Sequence, residues 1–218
     1  MNHRSIMTWL GPAACSLLAA CALLSKAEPR VPRYFTPEGA SRAAVAPSMP
    51  VQAPASQTRQ LRLGRVRGGS QLREPIMYRD SAHELGFYDD RRWTERPEAY
   101  LRRALARVLF EERGLIRVVS GSAPTLDAEL VAFEEIRAPE HKARVQVIIT
   151  LDGDRVGSLQ ETITVEQPVP RDAKGDDAEV TVNALGLALH QCVAKIADRV
   201  MAKLPITPVT LEPRVTQQ

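Results

Sequence analysis

Side chains able to do chemistry are sparse in this sequence and stand far apart. Asp152-Gly153-Asp154 sets two carboxylates about a glycine, as a metal or nucleotide-sugar motif would. It falls between two stretches of alternating apolar residues, where Asp-Gly serves a two-residue hairpin loop. Gly64-Arg65-Val66-Arg67-Gly68-Gly69 is rich in glycine but lacks the Lys-Ser/Thr and the following helix of a phosphate-cradling loop. His190 has no partner at ligand spacing, since Asp177 and Asp198 are far along the same helical stretch. Cys192 falls on an apolar stripe and reads as core. His83, between Asp80 and Glu84, reads as a polar turn. Serines are scattered without a G-x-S-x-G, and no His/Asp pairing outlines a triad. The sequence predicts no catalytic residue, cofactor site or metal site.

One residue does carry a recognisable chemistry. Met1-Asn2-His3-Arg4 is a short basic start, followed by Ile6 to Ala20 without a charge. At about 1.5 Å per residue this stretch is too short to cross a hydrocarbon core of about 30 Å, and its length suits a secretory signal. It ends in Leu18-Ala19-Ala20-Cys21, which resembles the bacterial lipoprotein signal: a branched residue, two small residues, then Cys. The thiol takes a diacylglyceryl group, and the small residues admit the peptidase, leaving Cys21 as the acylated (palmitate-type) N-terminus. Cys15 is a poorer acceptor, because Pro12 precedes it closely and the apolar run before it is short. The alternative is a plain signal peptide cut after an Ala, with Cys21 a buried thiol. Ala22, where an Asp would favour retention, points to the outer membrane by resemblance to the enterobacterial sorting rule. Three acyl chains at about 0.8 kcal/mol per buried CH₂ would make attachment effectively permanent.

Composition is that of an ordinary globular chain. The 218 residues include 44% apolar and 25% charged residues, with a formal charge of +3. That length suits one domain with appendages. Four His and three Cys exclude a His/Cys-rich metal protein and a disulfide framework. The weak positive balance is spread along the chain and gives no case for nucleic acid. Residues 21–58, the acylated Cys and a tether, are rich in Ala, Pro and Ser, and a flexible chain of that length would hold its domain on the order of 35 Å from the membrane. Within it Arg33-Tyr34-Phe35-Thr36 reads as a short edge strand docked on the domain, or else a hook for a partner.

The folded domain is expected over 59–204, with a loose tail over 205–218. Leu61, Leu63 and Val66 suggest a strand ending at Gly68-Gly69, with Ile76–Arg79 and Glu84–Tyr88 two more. A helix follows, capped by Thr94, with Pro97 in its first turn and Gly114 closing it. Leu101, Ala104, Leu105, Val108 and Leu109 share its apolar face. Trp93 reads as a packing anchor or, less simply, a binding hot spot, with Arg92 paired to Glu95. Leu126, Ala128 and Leu130 alternate as a half-buried strand should, and so do Val145, Val147 and Ile149. A final helix of some 27 residues carries a stripe of Val182, Leu185, Leu189, Cys192, Ile196 and Val200, and stops at Pro205. The expected fold is α+β, a largely antiparallel sheet with two helices packed on it.

The order of features resembles a known family. An acylated Cys is followed by Tyr34-Phe35-Thr36-Pro37, an Ala/Pro spacer, Arg92-Trp93-Thr94-Glu95 opening a helix, the strand Asp127-Ala128-Glu129-Leu130-Val131-Ala132-Phe133-Glu134, and a long closing helix. This is similar to the ABC-type transport auxiliary lipoproteins, the PqiC-like family, from Cys21 to Leu204, with Thr94 where the family usually has Ala. The resemblance implies an outer-membrane-anchored, periplasm-facing piece that docks on or caps an MCE-domain protein. The inner-membrane permease and ATPase of that lipid transport system would lie behind it, and a homo-oligomeric ring is implied as a possible form. Two other readings compete with it: a structural or assembly lipoprotein without lipid traffic, and a hydrolase whose site escapes recognition.

Overall fold

A computed structural model describes residues 31–37, 57–154, 156–170, 177–205 and 207–208; Cys21 and most of the tether and tail lie outside them. In chain order the strands are β1 (Arg33–Phe35), β2 (Gln57–Thr58), β3 (Gln60–Gly68), β4 (Pro75–Arg79), β5 (Leu85–Trp93), β6 (Ile116–Arg117), β7 (Thr125–Ile136), β8 (Lys142–Asp152), β9 (Leu159–Pro168) and β10 (Thr207–Pro208). The helices are α1 (Pro97–Ala106), which runs on into a π-helical turn at Arg107–Glu112, and α2 (Asp177–Lys203).

β7 organises the sheet. One edge pairs antiparallel with β8 along its whole length, and β8 pairs antiparallel with β9. The other edge is shared in series: β3 runs parallel to Thr125–Leu130, and β4 runs parallel to Glu134–Ile136. Where one neighbour gives way to the other, the β7–β8 register shifts between Leu130 and Ala132, and Gln71 Nε2 donates to the freed carbonyl of Val131 at 2.7 Å. A one-residue bulge exchanges the faces of everything beyond it. Leu126, Ala128 and Leu130 point to the helices; after the bulge it is Phe133 and Glu135 that pair with the inward-facing Val145 and Ala143.

The sheet is mostly antiparallel, as expected, with parallel pairings mixed in that the sequence did not show. The two long ladders and β4–β5 are antiparallel, but β1–β5, β3–β6, β3–β7 and β4–β7 are parallel. The parallel β3–β7 and β4–β7 pairings arise because the chain returns through α1 before laying down β7 alongside both β3 and β4. β1 lies on the edge of β5, with Phe35 opposite Trp93. β10 pairs with β2, so Thr207–Pro208 is tied to the start of the domain, in a segment expected to be loose.

Both helices pack against the face that carries Leu126, Leu130, Val145, Val147 and Ile149. Every residue of the α2 stripe is buried. Each such large aliphatic side chain contributes roughly 1.5–3 kcal/mol, so the apolar seam, more than helix propensity, holds these 27 residues in place. α2 is long and apolar enough to cross a membrane, yet it spends that surface on the sheet. Asp177 and Glu179 at its start and Lys203 at its end complement the helix dipole.

α1 begins later than its sequence suggests. The residue before a proline is driven extended, and Arg96 has φ −63° and ψ 141°, so helix starts at Pro97 and no side chain caps it. Thr94 instead shares a 2.7 Å hydrogen bond with the Tyr100 hydroxyl, which also accepts the Glu95 N–H at 3.0 Å. Trp93 closes β5 and does not open the helix. After the π turn the chain ends its helical run at Gly114, whose φ of +67° suits glycine.

Candidate functional site

Cys21, the expected lipid acceptor, lies outside the described residues. The other singled-out residues are placed one by one. Asp152-Gly153-Asp154 lies in the β8–β9 hairpin, but the loop is longer than two residues: Leu151 pairs with Leu159, and Val156 and Gly157 N–H groups donate to the Gly153 carbonyl. Gly64–Gly68 belongs to strand β3. Trp93 is 1% exposed and packs on Phe133 (ring centroids 5.0 Å) and edge-on to Tyr100 (6.1 Å), an anchor in the core. Arg92 does not pair with Glu95; Glu95 meets Arg103 at 2.6 Å, because Glu95 lies beyond the strand end and faces α1. Cys192 is buried, its Sγ–H directed at the Ile163 carbonyl at 3.9 Å, and burial pushes its thiol up to about 12. Among the described residues no three His, Cys, Asp or Glu side chains converge on a metal-sized point.

Two places gather polar side chains that the sequence reading did not bring together. The first is the far end of β7. Glu134 and Glu135 are fully or almost fully buried (0% and 3% exposed) and point to opposite faces of the sheet. Glu134 accepts from Arg79 Nε at 3.2 Å and from Arg144 Nε at 2.9 Å. Glu135 accepts from the Tyr88 hydroxyl at 2.7 Å and from Thr181 of α2 at 3.4 Å, and meets His141 Nε2 at 2.5 Å. Beside them Arg137 grips Asp80 with contacts of 2.6 and 2.5 Å and lies 3.6 Å over the Tyr78 ring, which itself packs on Tyr88. Gly86 makes room for that ring: a Cβ there would come within 2.4 Å of it.

Charge in this cluster follows its contacts. The hydrogen bond from Arg137 holds the Asp80 carboxyl below its ordinary range, and the Asp80 hydrogen bond in turn raises Arg137. Burial, then the hydrogen bond to Glu135, pushes the Tyr88 phenol up to about 12. The cluster links β4, β5, β7, β8 and α2 through carboxylates whose oxygens are already engaged. It is a clamp, and its groups face one another instead of an open substrate position.

The second place is a cleft of about 480 Å³ between α1 with its π turn and α2. Ala104, Val108, Leu189 and Val193 line it with apolar surface, and Arg103, Arg107, Glu111 and His190 also border it. Positions 104, 107, 108 and 111, at i, i+3, i+4 and i+7, share one helix face and all border this space. In the sequence the apolar part of that face reads as core alone.

Residues 44–197, well over half of the chain, match the family described as ABC-type transport auxiliary lipoprotein component. The chain belongs to that family. The auxiliary lipoprotein fold is also found in solved structures. Protein XCC0632 from Xanthomonas campestris superposes with a TM-score of 0.57 at 17% identity, over 69% of this chain and 90% of that one. A second solved structure, of an uncharacterised protein, gives 0.55 at 14% identity over 78% and 99%. A minor lipoprotein from Acinetobacter baumannii gives 0.42 at 11% identity over 68% and 98%. At these identities the first two likenesses are of fold alone. No curated protein matches the chain. The PqiC-like resemblance seen in the sequence and the family match therefore agree, and the family is a transport auxiliary, not an enzyme family.

Proposed function

We propose that this auxiliary lipoprotein is anchored in the outer membrane through an acylated Cys21 and serves an ABC/MCE-type lipid transport system as the periplasmic piece that docks on or caps the MCE-domain protein. Membership of the transport auxiliary family is the observation that carries this reading. It is supported by a thiol at the end of a lipoprotein-type signal, a proline-rich stretch over 21–58, and an α+β domain whose buried carboxylates hold it together. Catalysis has no part in it. A chromosomal deletion tests the proposal. The outer membrane should become sensitive to detergents, with the barrier restored by the wild-type chain and not by Cys21→Ser. An intact barrier in every growth condition contradicts the role. A structural or assembly lipoprotein, the competing reading, would associate with porins or cell wall and with no MCE chain.

A further inference from the structure

We infer that the cleft between α1 and α2 is a binding site for one acyl chain that carries an anionic head. The inference rests on the lipid-transport reading for its setting, but its support is geometric. The walls are apolar, and the small residues Ala104 and Gly186 on the two helices keep the space open. Its volume of about 480 Å³ lies within the roughly 300–1,000 Å³ of small-ligand pockets.

The polar border gives the ligand a direction. Arg103 and Arg107 stand one turn apart on the same wall, and each is held by a carboxylate, Arg103 by Glu95 at 2.6 Å and Arg107 by Glu112 at 3.1 Å. The Arg103 guanidinium also lies 5.2 Å over the Tyr100 ring. Their side chains keep 44% and 37% of their surface open, so both can bond an anion while staying oriented. Glu111, one further turn on, repels an anion. The head is therefore placed against Arg103 and Arg107 on the border of the cleft, and the chain against Ala104, Val108, Leu189 and Val193 within it. A carboxylate or a phosphate diester would satisfy the same guanidiniums.

The test uses the whole mature chain with Cys21→Ser, so that no attached lipid competes, and follows cis-parinaric acid fluorescence. One saturable site per chain is expected. Ala104→Phe, which fills the cleft, should abolish binding, and Arg107→Gln, which removes the charge and is checked for an unchanged fold by circular dichroism, should weaken it roughly five- to tenfold. Palmitate and lysophosphatidylglycerol are then used as competitors: displacement by palmitate alone assigns a fatty-acid head, and displacement by both extends the site to phospholipid. Absence of saturable binding, equal binding by both variants, or displacement by uncharged monopalmitin as readily as by palmitate overturns the inference. The assay needs no partner, so its failure leaves the docking role to be decided by co-purification.

Discussion

Glu134 and Glu135 are neighbours on β7, both shut away from solvent, yet they share no partner: Glu134 faces two arginines on one side of the sheet, and Glu135 faces Tyr88, His141 and Thr181 on the other. Consecutive strand residues face opposite sides of a sheet, and the bulge at Val131 decides that Glu135, not Glu134, takes the helix side, where α2 meets it through Thr181. The two carboxylates thus lock β4, β5 and β8 and the start of α2 to the same strand.

Glu134→Gln should destabilise the domain by about 2–3 kcal/mol. Breaking a buried ion pair costs about 3–5 kcal/mol, and the loss is moderated because Arg79 and Arg144 keep 24% and 27% of their surface exposed. Urea denaturation checks this. A change below about 0.5 kcal/mol, the size of an ordinary surface substitution, would show the clamp to be incidental.

Tyr88 gives the fold an alkaline limit. Its folded pKa is raised from 10.0 to about 12, so the folded state holds the phenolic proton more tightly than the unfolded chain. That stabilisation is complete below pH 10 and is lost as pH rises from 10 towards 12. The denaturation midpoint should fall across that window, and Tyr88→Phe should flatten the slope while lowering stability slightly at neutral pH. A phenol titration at 295 nm that shows every tyrosine ionising near pH 10 is the contrary result.

Trp93→Ala should cost about 3–5 kcal/mol, because a fully buried indole between Phe133 and Tyr100 leaves a cavity that the strand end cannot close. The thermal midpoint should drop by on the order of 10 °C. A hot spot for a partner would behave oppositely, with stability kept and association lost.

Cys21→Ser should give a folded domain that incorporates no labelled palmitate and is released from membranes by washing. Continued labelling in that variant would place the lipid elsewhere.

Much of this architecture was legible along the chain. The 27-residue final helix, its six-residue stripe and the alternation of Leu126, Ala128 and Leu130 follow from local periodicity, which the sheet then uses. The parallel strands were not legible, because pairing partners are set by where α1 returns the chain. Thr94 looked like a cap from its residue type, but Pro97 fixes Arg96 as extended and moves the start. The pairing of Glu134 and Glu135 was not legible, because Arg79, some 55 residues upstream of Glu134, and the other partners are brought in only by the fold. The cleft was not legible because an apolar helix face that lines a groove has the same periodicity as one that fills a core.

Co-purification of the acylated protein from its own membranes in mild detergent, with mass spectrometry of its companions, tests the docking role most directly. The account predicts an MCE-domain protein together with an ABC permease or ATPase. A preparation free of them, or one that carries only porins and cell-wall fragments, would contradict it.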